Sequence, residues 1–130
     1  MKPKHIYIAG PMTGLPKFNF PAFFAAAEKY KRRGYIVHNP ADKDGEQDLK
    51  GFATGDAKAA VAGGFNFKEA YLWDIDKVIN SDAIYMLRGW ENSPGAVGEH
   101  AVAVAVRRHY PNFEIIYESA EAALEVANAA

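Results

Sequence analysis

Cysteine is absent from the 130 residues, which excludes disulfides, a thiolate nucleophile and a cysteine-ligated zinc. An excess of charge of one sign is lacking too. Fifteen Lys and Arg stand against 16 Asp and Glu, a net charge of -1, so there is no basic face for a long nucleic acid. Nor is there a long hydrophobic run. The start of the chain leads into Ile6-Tyr7-Ile8-Ala9, too short for a signal peptide or a membrane span; no membrane partner is expected, and the expected compartment is the cytoplasm. The chain has no Asp-x-Asp-x-Asp-Gly loop, and His5, His38, His100 and His109 form no pair at helical spacing. No metal site is therefore expected. Internal repeats are missing as well.

What is present is an ordinary globular composition, 49% hydrophobic and 24% charged, in a length suited to a single domain over residues 1–130. His5 to Ala9 reads as a buried parallel strand stopped by Gly10-Pro11. Pro21 opens a helix over Ala22 to Arg33, and Gly34 ends it. Tyr35 to His38 is a second strand, stopped by Asn39-Pro40. Helical spacing returns from Phe67 to Ile79, strand character from Ala83 to Leu87, a helix from Pro94 to Arg108 and a strand from Phe113 to Tyr117. Ser119 is placed to cap a last helix. Strands alternating with helices predict an α/β fold: a flavodoxin-like three-layer α/β/α sandwich with a four- to five-stranded parallel sheet. The segment from Ala41 to Asn66, acidic and rich in glycine, keeps little periodicity beyond a turn of helix at Ala57 to Ala62. It reads as a flap over the site.

The most informative stretch is Ser81 to Glu99: an apolar strand, a loop with Gly89 and Gly95, and the first turn of a helix carrying Glu99. Ligands of open α/β sheets sit at the carboxyl ends of the strands, and loops after the first, second and third strands share that rim. Asp74 joins it if its helix opens near the same edge. Paired carboxylates suit glycosidic-bond cleavage, one as nucleophile and one as acid. Each candidate has a plainer alternative. Glu99 can simply favour a helix dipole, Asp74 can pair with Lys77, Ser93 can be a helix cap, and Asp82 can fix a turn. Trp73 and Trp90 can stack on a base or fill the core; Tyr7 can be core or offer its hydroxyl to a ligand. His100 reads as a packing residue.

Taken together, Tyr7-Ile8-Ala9-Gly10-Pro11, Asp74 ahead of Asp82, and Ser93-Pro94-Gly95-Ala96-Val97-Gly98-Glu99 resemble the nucleoside 2-deoxyribosyltransferase superfamily, which includes 2-deoxynucleoside 5′-monophosphate N-glycosidases. Within it, Ile6 to Gly14, Asn39-Pro40-Ala41 and Pro94 to Glu99 resemble a small branch often found in phages and prophages. The resemblance implies Glu99 as the nucleophile that attacks C1′ and Asp74 as the acid that assists the leaving base. It implies Tyr7 as the residue that orients Glu99, and Ser93 as a 5′-phosphate contact. Gly10, Gly95 and Gly98 match backbone positions that close around sugar and phosphate, and Met12 lies in the same first-loop motif. Pro11 replaces a serine of the monophosphate hydrolases, a role that Thr13 or Asn92 can fill; Trp90 is a base-stacking candidate.

The expected activity is N-glycosidic bond cleavage or deoxyribosyl transfer on a nucleoside or its 5′-monophosphate, with no cofactor. Water and a second base remain alternative acceptors. A nucleotide-binding protein without turnover is the alternative from another class, and flavin-based electron transfer is disfavoured because the first loop lacks a Ser/Thr-rich anion nest. The helix N-terminus is expected to keep Glu99 ionised. A homo-oligomer, dimer or tetramer, is expected from the helix Ala101 to Val106, which is apolar on more than one side.

Overall fold

The computed structural model describes residues 2–45 and 49–122. Four parallel strands, β1 (His5–Ala9), β2 (Ile36–His38), β3 (Ala83–Met86) and β4 (Glu114–Tyr117), form one sheet in the order β2-β1-β3-β4. β1 and β3 are central and apolar on both faces, as buried parallel strands must be. Ile6 and Ile8 point to one face, where α1 (Phe20–Arg32) packs through Phe23, Ala26 and Tyr30. Tyr7 and Ala9 point to the other, covered by α4 (Phe67–Asn80) and α5 (Pro94–His109) through Val78, Ala96 and Ala103. This period-2 division of one strand between two cores yields the three-layer α/β/α sandwich. Two shorter helices, α2 (Pro40–Asp44) and α3 (Ala57–Ala62), complete the elements before α4.

Local chemistry sets the helix starts. The side chains of Asn39, Asp56, Asn66 and Ser93 each accept a hydrogen bond from a backbone N–H in the first turn of the helix they precede, relieving donors that would otherwise be orphaned. Ser119 does not play this part: residues 118–122 are already helical, so it lies inside the first turn. That helix is tied to α1 by Glu121, which accepts from the Tyr30 hydroxyl at 2.7 Å and from the Lys29 ammonium at 2.8 Å. Lys29 also donates to the Tyr85 hydroxyl. Asp82 accepts from the His5 backbone N–H at 2.7 Å and so fixes the entry to β1.

Within the segment that reads as a flap, part of which (residues 46–48) lies outside the described residues, residues 49–56 are tied to the loop after β1. The Gly14 N–H donates to the Gly55 carbonyl at 2.8 Å, and Lys17 N–H to that of Ala53 at 3.3 Å. Phe52 packs edge-on against Phe20, with ring centroids 5.2 Å apart. These bonds hold the 49–56 turn against the loop after β1, where Lys17, Phe18 and Asn19 take left-handed backbone angles. Three such residues in a row are costly, and the Asn19 side chain helps to hold them by donating to the Pro11 carbonyl at 3.0 Å.

Gly55 marks the closest approach. Its φ is +73°, and an added Cβ would lie 2.2 Å from the Leu15 carbonyl oxygen. Gly55→Ala is therefore expected to cost about 2 kcal/mol or more, a fall in melting midpoint of roughly 5–10 °C. Thermal denaturation followed by circular dichroism checks it; an unchanged midpoint would mean that the two loops are not held together.

Candidate active site

The strand order reverses direction between β1 and β3, and ligands of open parallel sheets bind beyond the strands' carboxyl ends at such a point. A cavity of about 690 Å³ opens there, within the range of small-molecule sites. Tyr7 from β1, Asp74 from α4 and Glu99 from α5 meet at its floor.

Tyr7 is fully buried. It reaches the cavity because odd positions of β1 face α4 and α5. Its hydroxyl donates to Glu99 Oε2, and Asp74 stands near enough to both for each carboxyl to alter the ionisation of the other. Burial, followed by the charges of Glu99 and Asp74, raises the Tyr7 phenol well above its ordinary value. It stays protonated and gives its one proton to the hydrogen bond with Glu99.

Glu99 is 7% exposed and is the sixth residue of α5. It therefore lies in the second turn, not in the first as its sequence position suggests. The macrodipole acts chiefly within the first turn, so it does not hold this carboxyl low. Burial comes first and the Asp74 charge second, and together they push Glu99 above the usual carboxylate range. The Tyr7 hydroxyl offsets this only in part. Asp74 is raised too, by burial and then by the charge of Asp44, the last residue of α2. Two adjacent carboxyls that both resist ionisation share a proton across the neutral range, and they titrate as a pair. One is then a carboxylate while its neighbour is an acid. Asp74 is not used up in a surface pair, because Lys77 sits 3.7 Å from Asp76.

The rest of the lining divides by side. The loop after β1 contributes Gly10, Met12 and Thr13, the loop between β3 and α5 contributes Arg88, Asn92 and Ser93, and the first turn of α5 contributes Gly95. Ser93 serves twice: its Oγ accepts from the Ala96 N–H at 3.3 Å while the residue lines the cavity. Phe65, Phe67 and Tyr71 form an aromatic wall. Among the described residues, Arg88 is the one cation of a lining that also holds three carboxyls, Asp44, Asp74 and Glu99.

Two sequence candidates lie elsewhere. Trp90 stacks on His100, with centroids 4.3 Å apart, and packs into the core beneath α5; with His100 bonded to the Tyr117 hydroxyl at 2.8 Å, neither ring faces the cavity lining. Gly98 is exposed, has open space where a Cβ would be, and does not line the cavity. Gly95, a turn nearer the start of α5, does line it. Sequence reasoning missed Arg88, Asp44 and the aromatic wall. The signal for Asp44 was Asn39-Pro40, a helix start that places Asp44 one turn further on.

Among the described residues no helix is long and apolar enough to cross a membrane. No curated protein and no solved structure matches the chain. The family described as Domain of unknown function (DUF4406) matches residues 4–110, a span that runs from β1 through α5 and contains Tyr7, Asp74 and Glu99 together; the chain belongs to that family.

Proposed function

We propose that this protein cleaves the N-glycosidic bond of a nucleoside, or of its 5′-monophosphate, through a covalent glycosyl-Glu99 intermediate. The observation that carries the reading is the buried Tyr7–Glu99 hydrogen bond with Asp74 beside it at the head of a nucleoside-sized cavity. A carboxylate held by the Tyr7 hydroxyl, with a second carboxyl beside it, suits the nucleophile and acid of a double displacement.

Burial raises Glu99 at least as far as Asp74, so the reactive form is the tautomer of the singly protonated pair in which Asp74 holds the proton. There the Glu99 carboxylate, held by the Tyr7 hydroxyl, attacks C1′ as the bond from C1′ to the base nitrogen breaks. The bonding electron pair leaves with the base, and the Asp74 proton goes to a base nitrogen. Tyr7 steadies the attacking carboxylate by its hydroxyl. Asp74, now ionised, then takes a proton from water or from an incoming base. That nucleophile displaces Glu99 from C1′ and restores the pair. No cofactor takes part. Arg88, Ser93 and the N-terminus of α5 suit the sugar end and any phosphate on it. A cytoplasmic location follows from such substrates.

The test is chromatographic release of free base from a panel of deoxynucleosides and their 5′-monophosphates, with and without a second base. Release supports the reading, and dependence on the second base makes the reaction a transfer. Tight nucleoside binding without release from any substrate would replace it with a binding role.

We also propose a homo-oligomer, dimer or tetramer. Leu72 and Ile79 of α4 and Val97 and Val104 of α5 are exposed at seven-residue spacing on two helices packed side by side. Light scattering at micromolar concentration is expected to give at least twice the chain mass; a monomer would overturn this.

A further inference from the structure

We propose that Asp44 reads the base, and that it selects bases bearing an exocyclic amino group over the matching oxo bases: adenine over hypoxanthine, cytosine over uracil. The inference rests on the glycosidic reading of the cavity and names the substrate class within it.

Three observations place the base near Asp44. First, the cavity straddles the end of β1, with β2 on one side and β3 on the other. The cation and the α5 N-terminus follow β3, whereas Asp44 follows β2. The two ends of the ligand therefore meet opposite chemistry. Second, Asp44 and Asp74 line the same cavity, and the Asp44 charge raises the carboxyl of Asp74, the acid that serves the leaving group. Third, Phe67 and Tyr71 line the same cavity and offer faces on which a base can stack.

Asp44 is available for this contact. Among the described residues its carboxyl takes part in no hydrogen bond; burial alone pushes it up to about 6, with Lys43 acting weakly against that. At neutral pH it is still mostly a carboxylate and acts as an acceptor. An amino group of cytosine or adenine supplies the N–H that such an acceptor needs. A carbonyl at the same ring position presents lone pairs to it instead, and leaves two acceptors facing each other in a partly dry site. Sites that hydrogen-bond a substrate N–H reject the analogue lacking it more strongly than apolar pockets reject a missing methylene.

The experiment uses matched pairs, deoxyadenosine against deoxyinosine and deoxycytidine against deoxyuridine, in two measurements. Base release by the wild type is expected to favour the amino member of each pair at least about tenfold in kcat/KM. Binding to Glu99→Gln, measured by calorimetry, is expected to rank the pairs the same way without any chemistry. Asp44→Asn, whose amide offers both a donor and an acceptor, is expected to bring each pair within about twofold, mainly through KM. Equal binding of amino and oxo nucleosides by Glu99→Gln overturns the proposal, as does an equal loss for both members in Asp44→Asn. Ranked binding with no base released by the wild type leaves Asp44 as the base reader and removes the glycosidic reading instead.

Discussion

Glu99→Gln is expected to stop base release, by about 10,000-fold or more, while making the protein more stable. Loss of turnover follows from removing the nucleophile. The gain in stability follows from what the fold imposes on that residue. Glu99 is buried beside Asp74, and its folded-state pKa lies above that of an unfolded glutamate. A carboxyl shifted in that direction favours the folded state most when protonated. Its contribution is complete below about pH 4 and is lost as pH rises through the raised folded value. At pH 8 the wild type therefore bears a cost that glutamine does not, on the order of 2 kcal/mol. Glutamine keeps the volume and can still accept the Tyr7 hydroxyl. Denaturant unfolding of both proteins at pH 5 and pH 8 measures the difference, which should widen at the higher pH. Retained base release would remove Glu99 as the nucleophile, and a lower stability at pH 8 would contradict the electrostatic account of the site.

Replacing the acid has a different signature. Asp74→Asn is expected to lower kcat on ordinary nucleosides by about 100- to 10,000-fold and to change the shape of the pH profile. With both carboxyls present, activity falls on the acid side when a second proton occupies the nucleophile. It falls on the alkaline side when the last proton leaves the acid, giving a bell whose limbs belong to the pair. Asparagine is neutral, as the protonated Asp74 is in the active form, so the acid limb set by Glu99 stays close to its wild-type position. The alkaline limb set by Asp74 disappears. A substrate whose base leaves without protonation, such as an N7-methylated purine deoxynucleoside, should lose far less activity. Equal losses on both substrates would show that Asp74 positions the sugar rather than protonating the base.

The sheet and its order of elements were legible because hydrophobic periodicity reports directly on which faces are buried. Ile6-Tyr7-Ile8-Ala9 and Ala83-Ile84-Tyr85-Met86 have the apolar character of central strands, and the structure puts them there. Ser93 ahead of Pro94 reads as a helix start for a local reason, one side chain reaching one N–H. What failed to show was set by tertiary packing. The environment of Glu99 depends on α4 lying across it, and no local spacing carries that information. Gly95 and Gly98 look alike in the chain, but only one faces the cavity. Asp44 was hidden among other acids and glycines, since a five-residue helix leaves too short a pattern to recognise. The segment that read as a flap is held at Gly55 and Ala53 by the backbone N–H groups of Gly14 and Lys17, bonds that most residue types can make.

The hydrogen bond between Tyr7 and Glu99 joins residues 92 positions apart, with the aspartate supplied from a third element between them. The cavity consequently has no miniature version in any local stretch of chain. A nascent polypeptide still short of α5 has no floor to its site, and neither does a partly unfolded one. Whatever occupies the cavity can bind only after the whole sheet has closed, so it draws the population toward the native state by mass action, by about 2.7 kcal/mol when present at a hundred times its dissociation constant. A ligand of this cavity would thus also act as a folding ligand, and its removal would leave the chain less protected against unfolding.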